Sequence, residues 1–92
     1  MAGYVKLCRI LGKGDFRRGR NLLEALAGRM QHARKQHPRF AEGRFQALGV
    51  IHAEYLELEQ AVARGEGKDR ERDEALDTAT TALRFFIGEH EA

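Results

Sequence analysis

Residues 43–64 read GRFQALGVIHAEYLELEQAVAR, and this stretch decides the fold. Its apolar side chains recur at steps of three and four residues, which is the period of an α-helix. They form two stripes: the first contains Phe45, Leu48, Ile51, Tyr55, Leu58 and Val62, and the second contains Gly43, Ala47, Val50, Glu54, Glu57 and Ala61. Because two faces of this helix are suited to packing, we expect it to lie centrally, with neighbours on more than one side.

Turn-forming residues on either side of this helix predict three further helices. A short first helix covers residues 4–11 and is closed by the GKG sequence at residues 12–14. Asp15 offers the N-cap of a second helix, which should stop near His37 because Pro38 disfavours helical geometry in the residue before it. No segment alternates apolar and polar residues long enough to predict a strand.

The central helix should run from about Gly43 to Arg64 and end at the GEG sequence of residues 65–67. Asp69 can cap a fourth helix, which Gly88 should stop. The sequence therefore predicts an all-α fold, an antiparallel bundle of three to four helices.

The length and composition favour one small helical domain over residues 1–92. Ninety-two residues with 42% apolar content form a folded chain but a modest core. Association of subunits is the usual way to enlarge such a core. We therefore expect a homodimer or a homotetramer, in agreement with the two stripes of the central helix.

Charge is unevenly distributed along the chain. Residues 1–44 hold eleven Lys/Arg and three Asp/Glu, a net charge of +8, whereas residues 45–92 hold five and eleven, a net charge of −6. The two halves can pair with each other, can be solvated helix faces, or can leave the basic half to meet nucleic acid or phosphates. Cys8 is the single cysteine, and no signal or membrane segment is recognisable, so we expect a cytoplasmic protein.

Four acids form the chemical signature of the chain. Glu54 and Glu57 are three residues apart and project from one helix face, and Glu74 and Asp77 repeat that spacing. An antiparallel hairpin about residues 65–67 would bring the two pairs to a similar height. Close carboxylates repel each other unless a cation neutralises them, and oxygen ligands suit Mg²⁺ or Mn²⁺. Solvated acidic faces are the alternative, since 33% of the residues are charged.

The motif Glu54-Tyr-Leu-Glu57, followed after sixteen residues by Glu74-Ala-Leu-Asp77, resembles the ExxE…ExxD signature of the MazG-like all-α nucleoside triphosphate pyrophosphohydrolases. The likeness extends over about residues 29–88. Within it, residues 29–45 are similar to the small phage-type members of the family. The resemblance implies that Glu54, Glu57, Glu74 and Asp77 hold Mg²⁺, or Mn²⁺, against a nucleotide. It also implies hydrolysis to a nucleoside monophosphate and pyrophosphate, with Glu57 as the catalytic residue that positions or deprotonates the attacking water.

The chain also departs from the family pattern. Ala53 and Asp73 precede the two motifs, where many relatives have Glu before the first. We find no counterpart of the further helix that carries Lys or Asn near the phosphates in many members. Arg84, seven residues after Asp77 on the same face, can contact a phosphate or form a salt bridge to a neighbouring acid.

A binding protein without catalytic activity is the rival interpretation. Basic residues are frequent in the second helix and just beyond it, which suits the phosphate backbone of a nucleic acid. They are Arg17, Arg18, Arg20, Arg29, Arg34, Lys35 and Arg39. No helix-turn-helix spacing or aromatic interleaving supports sequence-specific recognition, so nucleic acid is the less favoured partner. A helical interaction protein is the other alternative.

Overall fold

The computed structural model describes residues 2–91, which form four α-helices and no strand. The helices are α1 (Ala2–Leu11), α2 (Phe16–Gln36), α3 (Arg44–Ala63) and α4 (Lys68–Ile87). The all-α prediction is confirmed for these residues. No helix in this range is long and apolar enough to cross a membrane.

The described chain divides into two compact units, residues 2–31 and 32–91. In the first unit α1 and α2 touch where Gly19 lies against the backbone of the fully buried Cys8. A methyl group at Gly19 would overlap the carbonyl of Cys8, so this contact needs glycine. Cys8 is thus a small core residue, as predicted. A single domain would require the two units to pack against each other, so the single-domain interpretation of residues 1–92 stays a prediction.

The second unit is built around the antiparallel hairpin of α3 and α4. Small side chains make the close approach of the two helices possible, because Ala47 and Ala61 on α3 and Thr80 on α4 are buried. The second stripe of α3 therefore faces α4. Phe40 and Ala41, from the loop after α2, complete the core together with Val50 and Phe85.

The first stripe of α3 is left largely uncovered in the described chain. Phe45 is 77% exposed, and Leu48, Tyr55 and Val62 are also exposed. On α4, Phe86 is 86% exposed. Two apolar faces on α3 are therefore present as predicted, and the hairpin packs one of them.

Helix ends agree with the predictions except at the starts of α1, which begins at Ala2 rather than Tyr4, and of α4. Asp15 caps α2 by accepting a hydrogen bond from the backbone N–H of Arg18 at 3.1 Å. Gly88 ends α4 in the left-handed conformation at φ 93°. The expected N-cap Asp69 is wrong: the helix begins two residues earlier than predicted, with Gly67 at the cap and Asp69 inside the first turn. There the carboxylate still interacts favourably with the helix dipole.

Candidate metal centre

The hairpin brings the predicted acids together around Glu74. Oxygen atoms of Glu54, Glu57 and Glu74 lie within 4.8 Å of one another, and those of Asp73, Glu74 and Asp77 form a second such group. Glu74 belongs to both groups. We call these five residues the acid cluster. Its formation confirms the expected equal height of the two motifs across the turn.

The geometry follows from the register of the hairpin. Glu54 and Glu57 are one turn apart on α3, on the stripe that also contains the buried Ala47 and Ala61. Small residues on this stripe keep the helices close, which forces the acids of α4 against those of α3. The cluster is therefore a consequence of the same packing that forms the hairpin.

Burial is unequal among the five carboxylates. Glu74 is 2% exposed, Glu54, Asp73 and Asp77 are half-buried, and Glu57 is exposed. Oε1 of Glu74 accepts from Nη2 of Arg70 at 2.7 Å. Oε2 of Glu74 is buried and has no hydrogen-bond partner. Its carboxylate neighbours only accept when ionised, so this oxygen is satisfied only by a proton or a cation, and burial of an unsatisfied anion is costly.

The electrostatics of the cluster favour a bound cation or proton. Burial raises the pKa of Glu54 to about 7, and the charges of Glu57, Asp77 and Glu74 add to this effect. Burial also raises the pKa of Glu74, with Arg70 opposing the shift and Glu57 adding to it. A divalent cation would remove this repulsion between carboxylates.

The donor set suits Mg²⁺ or Mn²⁺. Hard divalent cations take carboxylate oxygens, and the cluster offers one oxygen from each residue of two groups that share Glu74. The unpartnered Oε2 of Glu74 is an observation independent of the acid count. The residues present therefore fit a divalent cation.

The structure gives Arg84 a role other than phosphate binding. Its side chain is 3% exposed, and its Nε donates to Oε1 of Glu89 at 2.7 Å. Nη2 donates to the carbonyls of His37 at 2.7 Å and Pro38 at 3.3 Å, and Nη1 to that of Ala33 at 3.4 Å. All three nitrogens of the guanidinium are thus engaged within the protein. We therefore leave Arg84 out of the candidate site.

Arg84 is instead the centre of a structural hub, which we define as Arg34, Arg84 and Glu89. The carboxylate of Glu89 accepts from both arginines, and its pKa is lowered mainly by its hydrogen bond to Arg34. The Arg84 guanidinium also lies 5.0 Å from the centre of the Phe40 ring. The hub ties the end of α2, the following loop and the residues after α4 together.

Two members of the site were not assigned by sequence reasoning. Asp73 precedes the second motif, and the motif itself does not predict it as a ligand. Arg70 lies four residues before Glu74, the spacing at which helical ion pairs form. This spacing is the available signal, but it is common on exposed helices and so does not single out Arg70.

Comparison of the chain with protein-family models, with curated proteins and with solved structures finds no match in any of the three. The likeness to the MazG-like family accordingly stays a prediction that rests on the four-acid motif and its context.

Proposed function

We propose that this protein is a Mg²⁺- or Mn²⁺-dependent nucleotide pyrophosphohydrolase of the MazG-like type. The observation that carries the proposal is the buried Oε2 of Glu74, which has no hydrogen-bond partner amid four other carboxylates. A solvated acidic face, the simpler alternative, would leave its carboxylates exposed to water. Glu74 is not exposed, so the cluster is better suited to holding a cation.

The burial of each carboxylate in the acid cluster indicates its role. Glu54, Glu57 and Glu74 would hold one cation position, and Asp73, Glu74 and Asp77 a second. A divalent cation bound there supplies charge neutralisation of the phosphates and lowers the pKa of the attacking water. Glu57 is the exposed member, so it can position a water on the solvent side and take its proton.

The reaction is hydrolysis of the α–β phosphate linkage of a nucleoside triphosphate or a related nucleotide. The water oxygen forms a bond to a phosphorus of that linkage, and the bond from that phosphorus to the bridging oxygen breaks. Glu57 accepts the proton of the water. The products are a nucleoside monophosphate and pyrophosphate.

A second copy of the chain is part of the proposal. The exposed apolar stripe of α3 is a face that a homodimer or homotetramer would cover, because large contiguous apolar surfaces mark association sites. Phe45, Leu48, Tyr55 and Val62 define it, and we call it the outer stripe. Covering it would also enlarge the small core of the hairpin unit.

The proposal is tested by measuring pyrophosphate release from a panel of canonical and modified nucleotides, with Mg²⁺ or Mn²⁺ and with chelator. We expect release that requires the metal and that selects among the bases. Folded, oligomeric protein that is inactive across the panel would contradict the enzymatic assignment. It would instead favour a helical interaction protein, and a gel shift at low salt would identify nucleic-acid binding.

A further inference from the structure

Arg70 lies at the acid cluster without being part of the predicted motif. Its Nη2 is 2.7 Å from Oε1 of Glu74, and its Nη1 is 4.0 Å from Oδ2 of Asp73. Its Nε is 3.6 Å from Oε1 of Glu66, in the turn before α4. Arg70 lies one helical turn before Glu74 in the sequence, and its positively charged guanidinium contacts carboxylates that a metal would use.

Glu74 would serve as a ligand in both cation positions. It is the one carboxylate common to the group with Glu54 and Glu57 and the group with Asp73 and Asp77. Two cations held by these groups would share the Glu74 carboxylate, of which Oε2 is unpartnered and Oε1 is paired with Arg70. Arg70 contacts Asp73 as well as Glu74, so the protein's own cation lies at the second group.

We propose that Arg70 is an internal counter-ion that occupies the second cation position and must leave Glu74 before a second divalent cation binds. This inference rests on the metal site of the proposed function. The two positions then fill in order, the first without displacement of Arg70 and the second in exchange for it. Arg70 sets the metal concentration at which the site becomes fully loaded.

The surroundings allow Arg70 to move. Its side chain is 54% exposed, so release from Glu74 returns the guanidinium to water. Glu66, whose Oε1 already lies 3.6 Å from Nε of Arg70, can keep the guanidinium after its release. The Glu74 side chain is 3% exposed, so its buried charge needs a counter-ion, and a divalent cation would supply one as Arg70 leaves.

Calorimetric titration of the full, metal-free chain with Mn²⁺ tests the proposal, using wild type, Arg70→Gln, Arg70→Lys and Arg72→Gln. Arg72 is an exposed arginine on the same helix, so Arg72→Gln removes the same charge outside the contact. We expect Arg70→Gln to tighten the weaker Mn²⁺ site roughly tenfold, which corresponds to about 1.4 kcal/mol. Arg72→Gln should bind as wild type, and Arg70→Lys should remain close to it.

The outcomes separate this inference from the metal site itself. Equal or weaker Mn²⁺ binding by Arg70→Gln, with clear binding by wild type, overturns the role of Arg70 and leaves the site in place. Tightening by Arg72→Gln of the same size would reduce the effect to general charge and also overturn it. Absence of Mn²⁺ binding in every variant, with helical circular dichroism intact, overturns both proposals. Binding by Arg70→Gln alone would also overturn the proposal, because the first position should bind Mn²⁺ in wild type without displacement of Arg70.

Discussion

At the scale of single residues, two buried charges of α4 have opposite surroundings. All three nitrogens of Arg84 donate within the protein, to carbonyls and to Glu89. Glu74 has one oxygen paired with Arg70 and one that has no partner. A satisfied buried charge indicates a structural role, whereas an unsatisfied one indicates a site where something binds.

Replacement of Arg84 should therefore affect stability before it affects chemistry. We expect Arg84→Gln to lower the free energy of unfolding by about 3 kcal/mol, because Oε1 of Glu89 and the carbonyls of His37 and Pro38 lose their donor. Denaturant unfolding followed by circular dichroism measures this loss. Arg72→Gln, at an exposed position of the same helix, should change it by less than about 0.5 kcal/mol. Unchanged stability together with a raised KM for nucleotide would contradict the structural role and would support a phosphate contact by Arg84.

The contrast between Arg84 and Glu74 marks the limit of the sequence at this scale. Spacing placed the four acids on two helix faces, since i,i+3 pairs share a face whatever surrounds them. It could not tell that Arg84 turns inward, because its partners come from the loop after α2 and the residues after α4. The helical period of a sequence relates residues three or four positions apart, so it does not predict contacts between residues 46 to 51 positions apart.

At the scale of helices, the two stripes of α3 have separate tasks. The stripe with Ala47 and Ala61 packs on α4 and creates the acid cluster, whereas the outer stripe remains exposed. Both stripes were readable from the sequence, but which one would meet α4 was decided by side-chain size. The alanines permit close helix approach, and the bulkier Phe45 and Leu48 do not.

A charge placed in the outer stripe should break association without unfolding the hairpin. We expect Leu48→Glu to shift the protein from oligomer to monomer in sedimentation experiments, because an unpaired charge in an apolar contact is costly. Leu48 is 61% exposed, so its helix should persist in the circular dichroism spectrum. Gln60→Glu adds a charge at an exposed position of α3 outside the outer stripe and serves as the control. A wild-type mass that is monomeric, or an oligomer that tolerates Leu48→Glu, contradicts this role.

At the scale of the whole molecule, the repulsion in the acid cluster links folding to pH and to metal. The folded pKa of Glu54 is about 7, above the ordinary value of 4.5. Between these values the folded protein keeps a proton that the unfolded chain releases, so stability falls as pH rises through this window. For Glu89 the pKa is lowered, so its contribution is lost as pH falls below 4.5.

We therefore expect metal-free protein to be most stable near pH 5 and to lose stability between pH 5 and about pH 7. Thermal unfolding across this range measures the slope. Added Mg²⁺ or Mn²⁺ should restore stability at the upper end, since a ligand that binds the folded state stabilises it. Glu54→Gln should flatten the metal-free slope, whereas Glu59→Gln, at an exposed position, should not. The same slope in Glu54→Gln and wild type would rule out Glu54 as its source.

Pyrophosphate release by wild type and by Glu57→Gln, at matched protein and Mg²⁺ concentrations, tests whether the acid cluster is an active site. Glu57 is exposed, so the substitution should leave the helical spectrum intact. We predict metal-dependent appearance of pyrophosphate with an equal amount of nucleoside monophosphate in wild type, and loss of this turnover in Glu57→Gln and Asp77→Asn. Wild-type turnover in either variant would contradict the assignment of the acid cluster as the active site.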